Sequence, residues 1–293
     1  RFEASRPTIR RAVARLVDEG KLRVRRGSGM YVTYEADAAP RSQTISLMYI
    51  FEGQDLTHAQ DYALSHGYLL CIFSQARDHW DVAAERKFLQ RVLRENHSGL
   101  LAFCSPLEPR NDELLEELEA SGIRVIHIEH YRRELPSQGY VLPDYRRAGH
   151  MAAVRMMLAG YESIVLVSCN VTSPYSGLIE EGFAEALDEH RHGYDPQRDR
   201  FVLPQGQDPG PRRHLCDFLA GRRGDLGVVC ESAGIGGYVL TAAAETRRRV
   251  PEEVGVVAVS PIDRRRREAT PDVFRFDRMA ILRQALDEVA REV

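Results

Sequence analysis

Between Ser5 and about Glu19 the apolar residues Ile9, Val13, Leu16 and Val17 recur at three- and four-residue intervals, the spacing of one helix face. Ser5 suits the N-cap of that helix, and Pro7 falls in its first turn, where a missing N–H costs nothing. Gly20 then provides a stop. In KLRVRR the period changes to two, with Leu22 and Val24 on one side and Lys21, Arg23 and Arg25 on the other. GSG turns the chain and MYVT alternates again, so the pattern predicts a β-hairpin with a glycine-rich tip. The polar, Pro- and Ala-rich stretch YEADAAPRSQ reads as a linker over 34–43, dividing a small unit, 1–33, from a large one, 44–293.

Beyond the linker, short apolar runs alternate with amphipathic stretches of 10–15 residues. TISLMYIF, YLLCIFS, GLLAFCS and IRVIHIE read as strands, separated by the helices DLTHAQDYALSHG, VAAERKFLQRVLREN and RNDELLEELEASG. The alternation then restarts. SIVLVS, RFVLP, LGVVCES and GVVAVS are strands, set among the helices DYRRAGHMAAVRMMLAGY, SGLIEEGFAEALDEH, GPRRHLCDFLAG, GGYVLTAAAETRR and DRMAILRQALDEVAREV. Apolar strands alternating with helices imply parallel sheets in βαβ units. Two successive halves imply two lobes with a cleft, and in such sheets ligands bind beyond the carboxyl ends of the strands.

Charge changes the picture at the amino end. The whole chain of 293 residues carries a formal charge of −3, yet 1–33 is rich in arginine: Arg1, Arg6, Arg10, Arg11, Arg15, Arg23, Arg25 and Arg26, with Lys21, against Glu3, Asp18 and Glu19. A basic end on an acidic body is the electrostatic footprint of a polyanion partner. The five cysteines form no CxxC pair and sit mostly in apolar runs, which fits reduced thiols of a cytoplasmic protein. No apolar run has the ~20 residues needed to span a bilayer, and no secretory leader is visible.

The stretch SRPTIRRAVARLVDEGKLRVRRGSGMYVT closely resembles the recognition helix and wing of the GntR family of winged-helix regulators, with its S-R-x-T-V-R-x-A-L, L-x-x-E-G and G-x-G-x-(F/Y)-V elements. The resemblance implies a partial winged helix-turn-helix, because the family's first helix and most of its second have no counterpart after Arg1. It implies double-stranded DNA as partner, with the helix in the major groove. Ser5, Arg6, Thr8 and Arg10 would lie near bases and phosphates, and Arg25, Arg26, Gly27 and Gly29 would form the wing. The chemistry agrees: arginine pairs in a fork with guanine or phosphate, and glycines let backbone approach the duplex.

From about Gln43 the chain resembles the sensor domain of the LacI family, related to periplasmic binding proteins. The matching segments are DYRRAGHMAAVRMMLAGYESIVLV, EEGFAEAL and VPEEVGVVAVS. A GntR head on such a sensor resembles the arabinose repressor subgroup. The resemblance implies an effector between the lobes, walled by Tyr49, Asp144, Tyr175, Ile179, Glu231, Ser232 and Ser260. Ile179 stands where the family has arginine, Glu231-Ser232 replaces its Asn-Asp pair, and Ser260 takes the place of its aspartate. Loss of the arginine and aspartates that grip sugar hydroxyls argues against a plain aldohexose.

Other stretches carry less. GIGGY lacks the last glycine of a dinucleotide turn, with Val239 in its place, and reads as helix packing. His127, Glu129 and His130 do not share one strand face, and His190 and His192 form no ligand trio, so no metal is expected. Arg264–Arg267 reads as a solvated loop and Asn170 as a sequon without secretory context. No nucleophile elbow, HExxH or Walker A sequence is present. The sequence therefore predicts a homodimeric, cytoplasmic, effector-controlled transcription regulator, probed against two rivals. One is a sensor that has lost its effector and only dimerises, which a filled cleft favours. The other is an enzyme, which a nucleophile–base pair in the cleft favours. No cofactor is expected.

Overall fold

The computed structural model describes residues 6–18, 22–25, 29–32, 42–49, 55–74, 81–105, 109–129, 131–132, 134–135, 137–169, 174–190, 193–204, 210–260, 272–274 and 276–291. The chain divides into two units, Arg1–Ser42 and Gln43–Val293.

In the first unit the helical spacing yields α1 (Arg6–Asp18), and the alternation yields β1 (Leu22–Arg25) and β2 (Gly29–Val32). The strands pair antiparallel, with Leu22 opposite Val32 and Arg25 opposite Gly29. Ile9, Leu16 and Val17 of the α1 stripe are all more than a third exposed.

The second unit opens in β3 (Ser42–Tyr49), so the last two residues of the expected linker already belong to a strand; 34–41 lie outside the described residues. There follow α2 (Asp55–Ser65), β4 (Leu69–Ser74), α3 (Val82–Arg94), β5 (His97–Ala102), α4 (Asp112–Ala120), β6 (Arg124–Ile128) and β7 (Gly139–Val141). The sheet order is β4-β3-β5-β6-β7. The chain then crosses to a second lobe: α5 (Tyr145–Leu158), β8 (Ser163–Cys169), α6 (Pro174–Glu189), α7 (Pro196–Asp199), β9 (Arg200–Leu203), α8 (Pro211–Ala220), β10 (Leu226–Ser232), α9 (Ala233–Glu245), β11 (Val254–Ser260) and β12 (Asp272–Val273). Its order is β12-β11-β10-β8-β9. Among the described residues both sheets are five-stranded, and the pairings β3–β4, β5–β6, β8–β9, β8–β10 and β10–β11 are all parallel. The last helix, α10 (Arg278–Ala290), returns to the first lobe.

The two-residue period of the strands divides each lobe into two apolar layers. In the first lobe Ile45, Leu47, Leu101, Ile126 and Ile128 pack under α2 and α10, while Met48, Leu100, Ala102 and Val125 pack under α3 and α4. In the second, Leu166, Val229, Val257 and Val259 meet α5 and α6, and Val165, Val228, Cys230 and Val256 meet α8 and α9. Helices cover both faces, which is why these strands read as nearly unbroken apolar runs. Glycines let α5 and α6 touch backbone to backbone: a Cβ on Gly149 would strike the Ile179 carbonyl, and one on Gly182 the Arg146 carbonyl.

Three elements had no visible period because they are too short: β7, α7 and β12. β5 starts at His97, two residues before its apolar run, because His97 and Ser98 are buried and the His97 ring meets Ser46 Oγ at 2.6 Å. α9 starts three residues before the expected GGY, because Ser232 caps it through Ile235 N at 3.4 Å.

Candidate functional site

In each sheet the order reverses beside the strand that opens the lobe, between β3 and β5 and between β8 and β10. Connections leave on opposite sides there, so a crevice opens at the carboxyl ends. Tyr49 ends β3 and meets Phe103, just past β5, edge to face with centroids 5.7 Å apart. In the second lobe Glu231, near the end of β10, accepts the Cys169 amide from the end of β8 at 3.1 Å.

Period two also places Glu231. It shares a face with Val229, on the α5–α6 side, and there takes a hydrogen bond from Ser176 Oγ at 3.0 Å and one from the Tyr175 hydroxyl. Burial at 1% exposure lifts its carboxyl above the usual range, against the pull of these donors. Burial and then Glu231 push the Tyr175 phenol up in turn.

Tyr145 joins the two switch points. It opens α5, is 1% exposed, and its ring lies 5.3 Å from Tyr175 and 5.4 Å from Phe276. Its hydroxyl donates to the Glu129 carbonyl at 3.1 Å. Glu129 also accepts the Tyr49 hydroxyl and sits 3.3 Å from Arg278 Nε, while the Arg278 guanidinium stands 5.4 Å over the Tyr49 ring. Burial first, and Glu129 second, raise the phenols of both Tyr49 and Tyr145. Tyrosines, two buried carboxylates and one guanidinium thus cluster where the carboxyl ends of the two sheets meet. That set can donate to, accept from and stack on a small polar ring.

The expected wall residues separate into two groups. Tyr49, Tyr175 and Glu231 are brought together through Tyr145. Asp144 is exposed and caps α5, accepting Arg147 N at 2.9 Å. Ser232 caps α9, and Ser260 pairs with it in register at the ends of β10 and β11. Ile179 corrects the expectation most plainly: it is fully buried in the α5–α6 layer and offers no face to a cleft. Sequence reading missed Glu129, Tyr145, Phe276 and Arg278. Glu129 carries one signal in the sequence, an acidic residue at a strand's carboxyl end, though the pattern with His127 and His130 points to a metal ligand rather than to this site. Among the described residues no group of three His, Cys, Asp or Glu could hold a metal. His127 pairs with Gln138 Oε1 at 2.7 Å instead. His130, Asn170, His192 and Arg264–Arg267 lie outside the described residues.

In the first unit Ser5, Arg26 and Gly27 lie outside the described residues. Arg6, Thr8 and Arg10 fall in α1, Arg25 in β1 and Gly29 in β2.

Residues 1–32 match the model of bacterial regulatory proteins of the gntR family, and 153–280 that of a periplasmic binding protein-like domain. The arabinose metabolism transcriptional repressor of Halalkalibacterium halodurans is 26% identical over 270 residues, covering 87% of this chain and 70% of that protein. Transcription regulator CcpA of Lactococcus lactis superposes with a TM-score of 0.68 at 17% identity, over 86% of this chain and 91% of its own. The transcriptional regulator CelR, in complex with cellobiose, gives 0.66 at 18% identity, over 99% of this chain and 87% of its own. No helix among the described residues is long and apolar enough to cross a membrane. The chain thus joins a segment similar to the gntR family of bacterial regulatory proteins to a two-lobed body, part of which is similar to a periplasmic binding protein-like domain.

Proposed function

We propose that this protein is a cytoplasmic, DNA-binding transcription regulator, a repressor, whose operator affinity is set by a small polar effector bound between the two lobes. One observation carries the reading: a GntR-family segment shares its chain with two parallel sheets whose switch points meet across Tyr145. Arg6, Thr8 and Arg10 would contact the major groove, and Arg25, Arg26, Gly27 and Gly29 the neighbouring backbone. Two heads are needed for a two-fold operator, so the working form is a homodimer. Tyr49, Tyr175 and Glu231 of the expected wall, with Glu129, Tyr145 and Arg278, face the effector. Asp144, Ser232 and Ser260 stand at its margin as caps and strand ends. The arabinose repressor and the CelR–cellobiose complex favour a carbohydrate-derived ligand. Ser232 and Ser260, in place of the resembled family's aspartates, favour one other than a plain aldohexose.

The effector drives the switch only through unequal affinity for the two lobe arrangements. A panel of pentoses, disaccharides, sugar acids and amino sugars, read by melting temperature, tests this. A ligand at 100 times its Kd stabilises the folded state by roughly 2.7 kcal/mol. The same compound is expected to change operator affinity. A panel that shifts nothing rejects the reading and leaves the second one: a body that only dimerises. That alternative is favoured by the burial of Tyr145 and Glu231, each 1% exposed.

A further inference from the structure

We propose that Glu129 is the positioning residue of the hinge: its side chain holds the first lobe's wall of the crevice and its main chain holds the second lobe. The inference rests on reading the crevice as an effector site, but its test needs no effector, so either can fail alone.

Glu129 follows the last residue of β6 and is 3% exposed. Ile126 and Ile128 face the α2–α10 layer, so a regular pleat would send residue 129 to the opposite side. Instead its φ of 61° puts it in the left-handed region, which a non-glycine residue rarely occupies. That turn brings its carboxylate to Tyr49, which belongs to the α2–α10 layer, and to Arg278, the first residue of α10. It also leaves the carbonyl for the Tyr145 hydroxyl, at 3.1 Å.

The origin of these partners is what matters. Tyr145 is the first residue after the outward crossover, 142–144, and its side chain lies in the second lobe's core. Arg278 is the first residue of α10, where the chain returns to the first lobe after β12. Two interlobe connections therefore converge on one residue, with Phe276 packed against the cores of both lobes beside it. A residue held in a sparsely populated conformation by surrounding contacts persists where the structure over-determines it, commonly at switches. When the wall at Tyr49 and Arg278 is disturbed, the Glu129 peptide turns and the Tyr145 clasp turns with it.

The test uses the full chain with a bio-orthogonal donor–acceptor dye pair at exposed Glu117 in α4 and exposed Arg213 in α8, diluted into unlabelled protein. Tyr145→Phe removes the clasp but keeps the ring, and is expected to shift the interlobe distance to longer values and broaden it. Glu129→Gln keeps the carbonyl and the side-chain size, and is expected to cause the same shift. The double variant is expected to shift no further than Tyr145→Phe alone, because both act through one contact. A Glu129→Gln chain with the wild-type distance distribution, whether or not its Tm falls, overturns the proposal. Additive shifts overturn it as well. If Glu129→Gln yields no folded protein, Arg278→Lys, which loosens the carboxylate while leaving Glu129 in place, is read by the same criterion.

Discussion

Burial moves two titrating side chains in opposite directions. The Glu231 carboxyl is raised, so the folded chain keeps that proton to higher pH than the unfolded chain does. Its contribution is most favourable below the ordinary carboxyl range, about 4.3, and is lost as pH rises through the raised value. His127 is lowered from 6.5 to about 4, mainly by burial. The folded chain holds it neutral, so its contribution is complete above the ordinary histidine value and is lost as pH falls toward 4, by about 3 kcal/mol. Urea midpoints measured from pH 4 to 8 are therefore expected to rise at the acid end in His127→Gln relative to wild type. In Glu231→Gln the decline toward neutral pH is expected to flatten. Parallel curves for all three proteins would show that neither group changes its titration on folding.

At the scale of elements, the close crossing of α5 and α6 depends on two glycines. Gly182→Ala drives a methyl into the Arg146 carbonyl, and backbone cannot yield as a flexible side chain can. The helices must part, at an expected cost of about 1–3 kcal/mol. Gly237, inside α9, has nothing within 4 Å of a Cβ, so Gly237→Ala is expected to stabilise by about 0.5–1 kcal/mol. Opposite signs in the two denaturation midpoints are the outcome to look for. Asp144 provides a second element-scale case. Asp144→Ala removes the α5 cap and is expected to cost about 1 kcal/mol of stability. Because Asp144 is occupied as a cap, effector affinity measured by calorimetry is expected to stay near wild type. A large loss of affinity would return Asp144 to the wall.

For the whole molecule, the distinguishing measurement is salt dependence of operator binding, made on a chain with a complete winged-helix head. Arg10→Ala is expected to cost about 1–3 kcal/mol on the specific operator and to relax preference at one base position. Arg26→Ala is expected to weaken specific and non-specific DNA alike and reduce the salt slope by about 1. Equal affinities for both variants and wild type would remove the major-groove assignment. The body is expected to bind effector without regard to either substitution, since the switch is a coupling between separate sites rather than a shared one.

Periodicity alone determined the class of the body. The apolar strands announced parallel sheets because covered strands have no polar face to show, and the restart after IRVIHIE announced a second lobe. The basic helix and glycine-rich hairpin were likewise legible, since local spacing dictates both. The candidate site was legible only in part. Tyr49, Tyr175 and Glu231 sit at strand and helix ends, which the sequence locates. Whether Asp144 and Ser232 face a ligand or cap a helix depends on a backbone amide a turn away, and spacing alone left that open. Ile179 is core because Gly149 and Gly182 draw two helices together. Glu129, Tyr145 and Arg278 meet only in three dimensions: their neighbours in sequence give no hint that both crossovers end on one left-handed residue. Period and composition are properties of a segment, but a hinge is made by segments far apart in the chain, and only packing brings them together.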